Sequence, residues 1–221
     1  MARPPEILVC FAVNEEARPF FNRATPLSGT RIAVTGMGRR NAEQAVRTAV
    51  GSSPPQWVVT AGFAGGLNPN LACGTVLFEA DPETSLRVAL SRAGAVEARF
   101  HCADRVAVTA EEKRQLRALT GADAVEMESG AIRSVCRRLG LSTATVRVIL
   151  DTANEDLPLD FNQLMTADMR IDSFKLARAI LRSPSRISAL RRFQKRSQEA
   201  ARSLAETLRR ALGTLLTVQS P

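Results

Sequence analysis

Tyrosine is absent from this 221-residue chain, which has one histidine, one tryptophan and four cysteines. With His101 as the lone histidine, a multi-histidine metal site is excluded and a histidine-based triad is disfavoured. Cys10, Cys73, Cys102 and Cys136 form no CxxC pair and fall in or beside apolar segments, so they read as free thiols rather than disulfides or metal ligands. No apolar run reaches the roughly 18 to 20 residues that a helix needs to cross a bilayer, because Arg, Lys, Glu or Pro interrupts each one. Residues 7–13 are too short for a secretory h-region, which leads to an expected cytoplasmic location. Any acid–base chemistry must then rest on carboxylates.

The charge is one-sided, with 30 Lys and Arg against 22 Asp and Glu and a net charge of +8. Scarce aromatics argue against a nucleic-acid surface, and no nucleic-acid partner is expected. The excess is concentrated near the C-terminus, where Arg170, Lys175, Arg178, Arg182, Arg191, Arg192, Lys195, Arg196, Arg209 and Arg210 meet few acids. The body before them is close to neutral.

Residues 7–13 form a nearly continuous apolar run, as a strand buried on both faces does, and Asn14-Glu15-Glu16 opens a helix. Strand signals recur at 31–35, 57–60, 74–78, 124–127 and 143–150, with helical stretches at 41–50, 111–119 and 129–139; residues 81–105 carry no clear pattern. This alternation predicts an α/β fold, a three-layer α/β/α sandwich around a central sheet. In such sheets ligands bind beyond the carboxyl ends of strands. The turns at 14–16, 36–40, 62–66, 126–128 and 151–154 all follow strands there. After Phe161 the pattern is helical only, at 171–181 and 187–216 with a break at Ser183-Pro184. Apolar positions Ile187, Leu190, Phe193, Leu204, Leu208, Leu212 and Leu215 recur at helical spacing. The chain thus divides into a catalytic domain over 1–168 and a basic amphipathic helical extension over 169–221.

Four ordered blocks carry a resemblance: Ala12-Val13-Asn14-Glu15-Glu16, Thr35-Gly36-Met37-Gly38, Gly62-Phe63-Ala64-Gly65-Gly66-Leu67-Asn68-Pro69 with Gly74, and Val125-Glu126-Met127-Glu128 with Arg147 and Asp151. They resemble the nucleoside phosphorylase and nucleosidase superfamily, in particular the 5′-methylthioadenosine/S-adenosylhomocysteine nucleosidases. The run Ala103-Asp104-Arg105-Val106-Ala107-Val108-Thr109-Ala110-Glu111-Glu112-Lys113, the Thr120-Gly121-Ala122 segment and the basic helices most closely resemble the hopanoid-associated phosphorylase branch, which cleaves adenosylhopane. The resemblance implies a nucleoside phosphorylase-like fold with a mixed sheet, cleavage of a purine N-glycosidic bond, and homo-oligomers. It implies no metal or organic cofactor.

Breaking that bond places positive charge on the ribose and negative charge on the base, so an acid is needed at the base and a nucleophile on the opposite face of the sugar. By resemblance, Asp151 protonates the purine N7, Glu128 accepts hydrogen bonds from the ribose hydroxyls, Met127 packs on the sugar, and Glu126 holds loops or orders water. Arg147 and Gly65 join the substrate-binding set, and Glu16 activates the attacking water, with Glu15 the alternative register. Each has a plainer reading: Asp151 and Glu128 as helix caps, Met127 as core, Glu16 as a solvated first-turn acid. The glycine segment lets backbone approach a ligand. Phe63 stands where the nucleosidases commonly carry a small hydroxyl residue and Leu150 where they carry serine, which suits an apolar substrate. No arginine lies in the Val58-Val59-Thr60 strand as in true phosphorylases; Gly38, Arg39 and Arg40 form the alternative phosphate site, and water is the favoured nucleophile. The basic helices either lie peripherally on an anionic inner-membrane surface or pack on the domain. A non-catalytic nucleoside-binding module is the rival to an enzyme.

Overall fold

The structure, a computed structural model, describes residues 6–21, 27–51, 53–82, 84–182 and 187–218. Its first strand, β1 (Ile7–Phe11), is buried throughout, and parallel neighbours flank it: β2 (Thr30–Val34) on one side and β3 (Trp57–Gly66) on the other. Parallel to β3 runs β8 (Ser142–Asp151), then antiparallel β4 (Val76–Ala80), and β5 (Val96–Glu97) closes the edge. The far end of β3 also pairs with β7 (Ala124–Glu126), which in turn pairs with β6 (Phe100–Cys102). The sheet is mixed, with helices on both faces: the three-layer arrangement expected from the alternating pattern.

Alternation along the strands assigns the two faces. Ile7, Val9 and Phe11 join Ala144, Val146 and Val148 in the principal core, against α1 (Asn14–Phe21), α3 (Ser85–Arg92) and α8 (Ile187–Val218). Leu8, Cys10 and Val58 face α2 (Arg39–Gly51) and α5 (Ser129–Arg138) through Ala42, Val46, Ile132 and Val135. The other helices are α4 (Ala110–Thr120), α6 (Phe161–Leu164) and α7 (Ser173–Arg182). A capping box between Thr109 and Glu112 fixes the start of α4, and Gly121, at φ 66°, ends it in the left-handed conformation that glycine favours. All four cysteines are free, with Cys10 and Cys136 buried.

Two expectations change. The segment 62–66, read as a loop, continues β3, with a register shift between Ala64 and Gly65 where β3 leaves β8's regular ladder. Pairing with β7 and β8 supplies hydrogen bonds that a glycine-rich sequence does not advertise. The uncharted stretch 81–105 holds α3, β5 and β6. The break at Ser183-Pro184 lies outside the described residues.

The basic helix α8 is part of the fold's centre. Ala200, Leu204, Leu208, Leu212 and Leu215 are buried with the strand residues of the principal core, so the boundary drawn at 168 runs through shared hydrophobic packing. Its arginines occupy the other face, which is how one helix is both basic and core-forming. Among the described residues no helix is long and apolar enough to cross a membrane. Leu208→Ala is expected to destabilise the chain by about 2–5 kcal/mol in chemical denaturation, the cost of a cavity in a packed core; a change below about 0.5 kcal/mol, as for a surface site, would contradict this packing.

Candidate active site

Beyond the carboxyl ends of β1, β3, β7 and β8 lies a cavity of about 250 Å³, which Glu16, Glu126, Glu128 and Asp151 all line. Burying so many carboxylates together requires a cation. Arg147 supplies it: the residue is 1% exposed, projects from β8, and pairs in register with Gly62 of β3. Its Nη2 donates to Glu126 Oε2 at 2.5 Å and to Thr60 Oγ1 at 3.1 Å, and lies 3.5 Å from Glu128 Oε2. Burial works against its charge, but Glu126, Glu128 and Glu16 outweigh that and raise its pKa. Arg147 does not line the cavity. It organises the carboxylates from behind, which corrects its expected place among substrate-binding residues.

The carboxylates divide by environment. Glu126 is saturated: besides Arg147 it accepts from the backbone amides of Glu128 and Ser129, at 3.1 and 2.8 Å, and from Ser129 Oγ at 2.6 Å. Burial pushes its pKa up, but Arg147 and Ser129 together hold it below the ordinary value. Glu126, not Glu128, thereby caps α5; Glu128 makes no side-chain cap bond. Its Oε1 instead accepts from the Gly38 amide at 2.9 Å, at the turn where Gly38 adopts φ 82°. Burial raises the Glu128 pKa against the pull of Arg147.

Glu16 turns back on its own helix start. Its Oε2 accepts from the amides of Ala12 at 3.0 Å and Val13 at 3.2 Å, and its Oε1 from Phe63 at 2.8 Å. Burial raises its pKa to about 7, with the Arg147 charge opposing and Glu128 reinforcing the shift. Glu15 is exposed, so Glu16 is the buried register. Space for this arrangement comes from Gly62: a Cβ there would stand 2.6 Å from Glu16 Oε1 and 2.9 Å from Arg147 Nη1. Any side chain at 62 displaces one of the two.

At the end of β8, Asp151 meets a residue to which sequence reasoning assigned no role. Lys113, 0% exposed on α4, brings Nζ to 2.5 Å from Asp151 Oδ2, in an ion pair lacking aligned hydrogen-bond geometry. Desolvation nevertheless keeps the Asp151 pKa above its ordinary value, with Lys113 pulling the other way. Asp151 is followed by a turn rather than a helix, so it caps nothing.

Apart from Arg105, which pairs with Glu112 at 2.6 Å, the remaining walls are apolar. Phe63, Leu150, Leu157, Phe161, Met165, Ile171 and Phe193 line the cavity along with Met127 and Gly65. Phe193 of α8 stacks against Phe161 with ring centroids 5.7 Å apart. Gly38, Arg39 and Arg40 line a neighbouring depression instead. There Arg39 donates to Cys102 O at 2.9 Å and pairs with Asp104 at 3.1 Å, and the Gly38 amide is taken by Glu128.

Residues 82–182, which contain Glu126, Glu128, Arg147 and Asp151, match the family described as the Phosphorylase superfamily. The chain has the nucleoside phosphorylase and nucleosidase fold. A 5′-methylthioadenosine/S-adenosylhomocysteine nucleosidase of Shewanella sediminis is 24% identical over 178 residues, spanning 64% of this chain and 77% of that protein. In structure, the 5′-methylthioadenosine/S-adenosylhomocysteine nucleosidase of Helicobacter pylori with butyl-thio-DADMe-Immucillin-A superposes with a TM-score of 0.69 at 17% identity, over 96% of this chain and 100% of that one. Futalosine hydrolase of the same organism gives 0.68 at 17% identity, over 96% and 98%.

The nucleosidase fold thus gathers Glu16, Glu126, Glu128, Asp151, Met127, Phe63 and Gly65 at one cavity and leaves Arg39 and Arg40 outside it. No sequence signal distinguishes Lys113 from the surface charges Glu111 and Arg114 beside it. Arg147→Met removes the counter-charge of buried acids and is expected to cost about 3–5 kcal/mol of stability at neutral pH. Freed of Arg147, the carboxylates hold folded-state pKa values above their unfolded ones, so the deficit grows as pH rises from 5 to 8. Denaturant melts across that range check it; a deficit independent of pH would show that the charge is not the cause.

Proposed function

We propose that the chain is a hydrolase that cleaves the N-glycosidic bond of a purine nucleoside, releasing adenine from an adenosyl compound with an apolar 5′-substituent. The observation that carries this is the meeting, in one largely apolar cavity, of three carboxyl groups with raised pKa values, Glu16, Asp151 and Glu128, the last held by the Gly38 amide. The names and folds of the similar nucleosidases support the reaction class.

In this reading Asp151, whose pKa desolvation raises, gives its proton to N7 as the bond to the base breaks. Glu128 accepts hydrogen bonds from the ribose hydroxyls, and Met127 packs on the sugar. Glu16, already fixed by three amides, takes the proton of a water attacking C1′. Saturated Glu126 holds the framework together with Arg147 and carries no proton.

Water is the nucleophile in this proposal because Arg147 is engaged with buried carboxylates, Arg105 with Glu112 and Arg39 with Asp104, while Arg40 lines only the neighbouring depression. The apolar side chains on the walls favour a substituent that is itself apolar, a class that spans the methylthio group and the larger hydrocarbon of an adenosylated lipid.

Adenine release from methylthioadenosine and from 5′-alkylthio adenosines of increasing length tests the reading. Release without added phosphate is expected, with kcat/KM rising with chain length. Asp151→Asn should lower kcat by about 10² or more, the scale of general acid catalysis. Because Glu16 must be ionised to act, kcat/KM should fall as pH drops below about 7. Tight nucleoside binding without adenine release would support a binding module instead.

A further inference from the structure

Lys113 sits where a lysine is costly on two counts. It is 0% exposed, and it lies in the first turns of α4, whose N-terminal dipole disfavours a cation. Its Nζ is nonetheless committed to three oxygens: Asp151 Oδ2 at 2.5 Å, Thr152 O at 2.9 Å and Glu155 O at 2.7 Å. All three belong to the segment that carries the acid of the site. The capping box at Thr109 and Glu112 fixes where α4 starts and hence where the ammonium falls. Of the other charges near Asp151, Glu155 pairs with Arg196 of α8 at 2.6 Å. Lys113 is the cation in contact with the acid.

We propose that Lys113 is a positioning residue for the departure of the base, holding the Asp151 carboxyl at the cavity and supplying the counter-charge it needs once its proton is gone. This rests on the glycosidase reading above. The charge balance of the step shows why it is needed. The C1′–N9 electron pair leaves with the base, and the Asp151 proton goes to N7. The water oxygen bonds to C1′, and its proton goes to the Glu16 carboxylate. One negative charge therefore disappears from Glu16, whose nearby cation is Arg147, and appears on Asp151, beside Lys113. Two separate buried cations serve the two ends of this transfer, so neither carboxylate is ever ionised without a partner.

Two neutral variants separate charge from bracing. Lys113→Gln keeps a donor for the Thr152 and Glu155 carbonyls but no charge, and Lys113→Met removes both. The probes are methylthioadenosine for turnover and the infrared carboxyl band of Asp151, assigned by its loss in Asp151→Asn, for titration. Both variants should move the Asp151 titration to higher pH, and with it the alkaline limb of kcat/KM, by about one unit or more. Both should lower kcat by about tenfold or more while KM changes by less than about threefold, since ground-state binding is not what is lost. A K113Q enzyme with wild-type kcat and an unmoved Asp151 band would overturn the proposal. Should neither neutral variant fold, Lys113→Arg decides: an Asp151 band at its wild-type position with at least about a tenth of kcat supports the counter-charge, and a folded K113R below about a hundredth of kcat overturns it. The infrared titration needs no turnover, so it still tests the pairing if the wild-type protein cleaves no nucleoside, a result that would count against the glycosidase reading alone.

Discussion

One buried guanidinium makes the site possible. Glu16, Glu126 and Glu128 lie in a setting where ionised carboxylates are penalised, and Arg147 is the charge that all three share. Its place on β8 is dictated by the sheet: the register of β8 on β3 sets it opposite Gly62, where the missing side chain leaves room for both Arg147 and Glu16. A strand residue that touches no cavity thus decides the ionisation of those that do. Thr60 accepts from Arg147, and Ser129 and the amides of residues 12, 13, 38 and 63 complete the network by donating to the carboxylate oxygens.

Differences among the carboxyl groups follow from how many partners each has. Glu126, with four donors, has its pKa held down; Glu16, with amides and only a nearby charge, is poised near neutrality; burial raises the Asp151 pKa while Lys113 pulls it back. Groups whose environments push their pKa values apart can play opposite parts in one reaction at one pH. Around them, the apolar wall built by Phe161, Phe193 and their neighbours lowers the local polarity, which strengthens each of these interactions.

Much of this was legible in the residues. Continuous apolar strands at 7–13 and 143–150 announced a doubly covered sheet, and the acidic turns after them announced where the site would lie. The carboxylates were identifiable through the ordered motif blocks that contain them; position at a strand end alone reads as well as a helix cap. Three features were not legible, each for a physical reason. Gly62 to Gly66 has the composition of a loop, and only pairing on both edges makes it a strand. Arg147 reads equally as a ligand-binding cation, because sequence does not reveal that it lies behind the carboxylates that line the cavity. Lys113 follows two glutamates in a polar helix start, and its burial depends on the approach of the 151–155 segment from far along the chain. The basic C-terminal helix carried both a core pattern and a charged face, and the packing of Leu204, Leu208 and Leu212 against the strands shows where the core pattern is spent.

The account turns on which chemical part of a nucleoside each carboxyl group meets. The most direct measurement is a crystal structure of the protein with an uncleavable 5′-alkylthio adenosine analogue. The account predicts Asp151 within hydrogen-bond distance, about 3 Å, of the position equivalent to N7, both ribose hydroxyls on Glu128, and the alkyl chain between Phe63, Phe161 and Phe193. A ligand bound with its ribose away from Glu128, or with its base out of reach of Asp151, would contradict it.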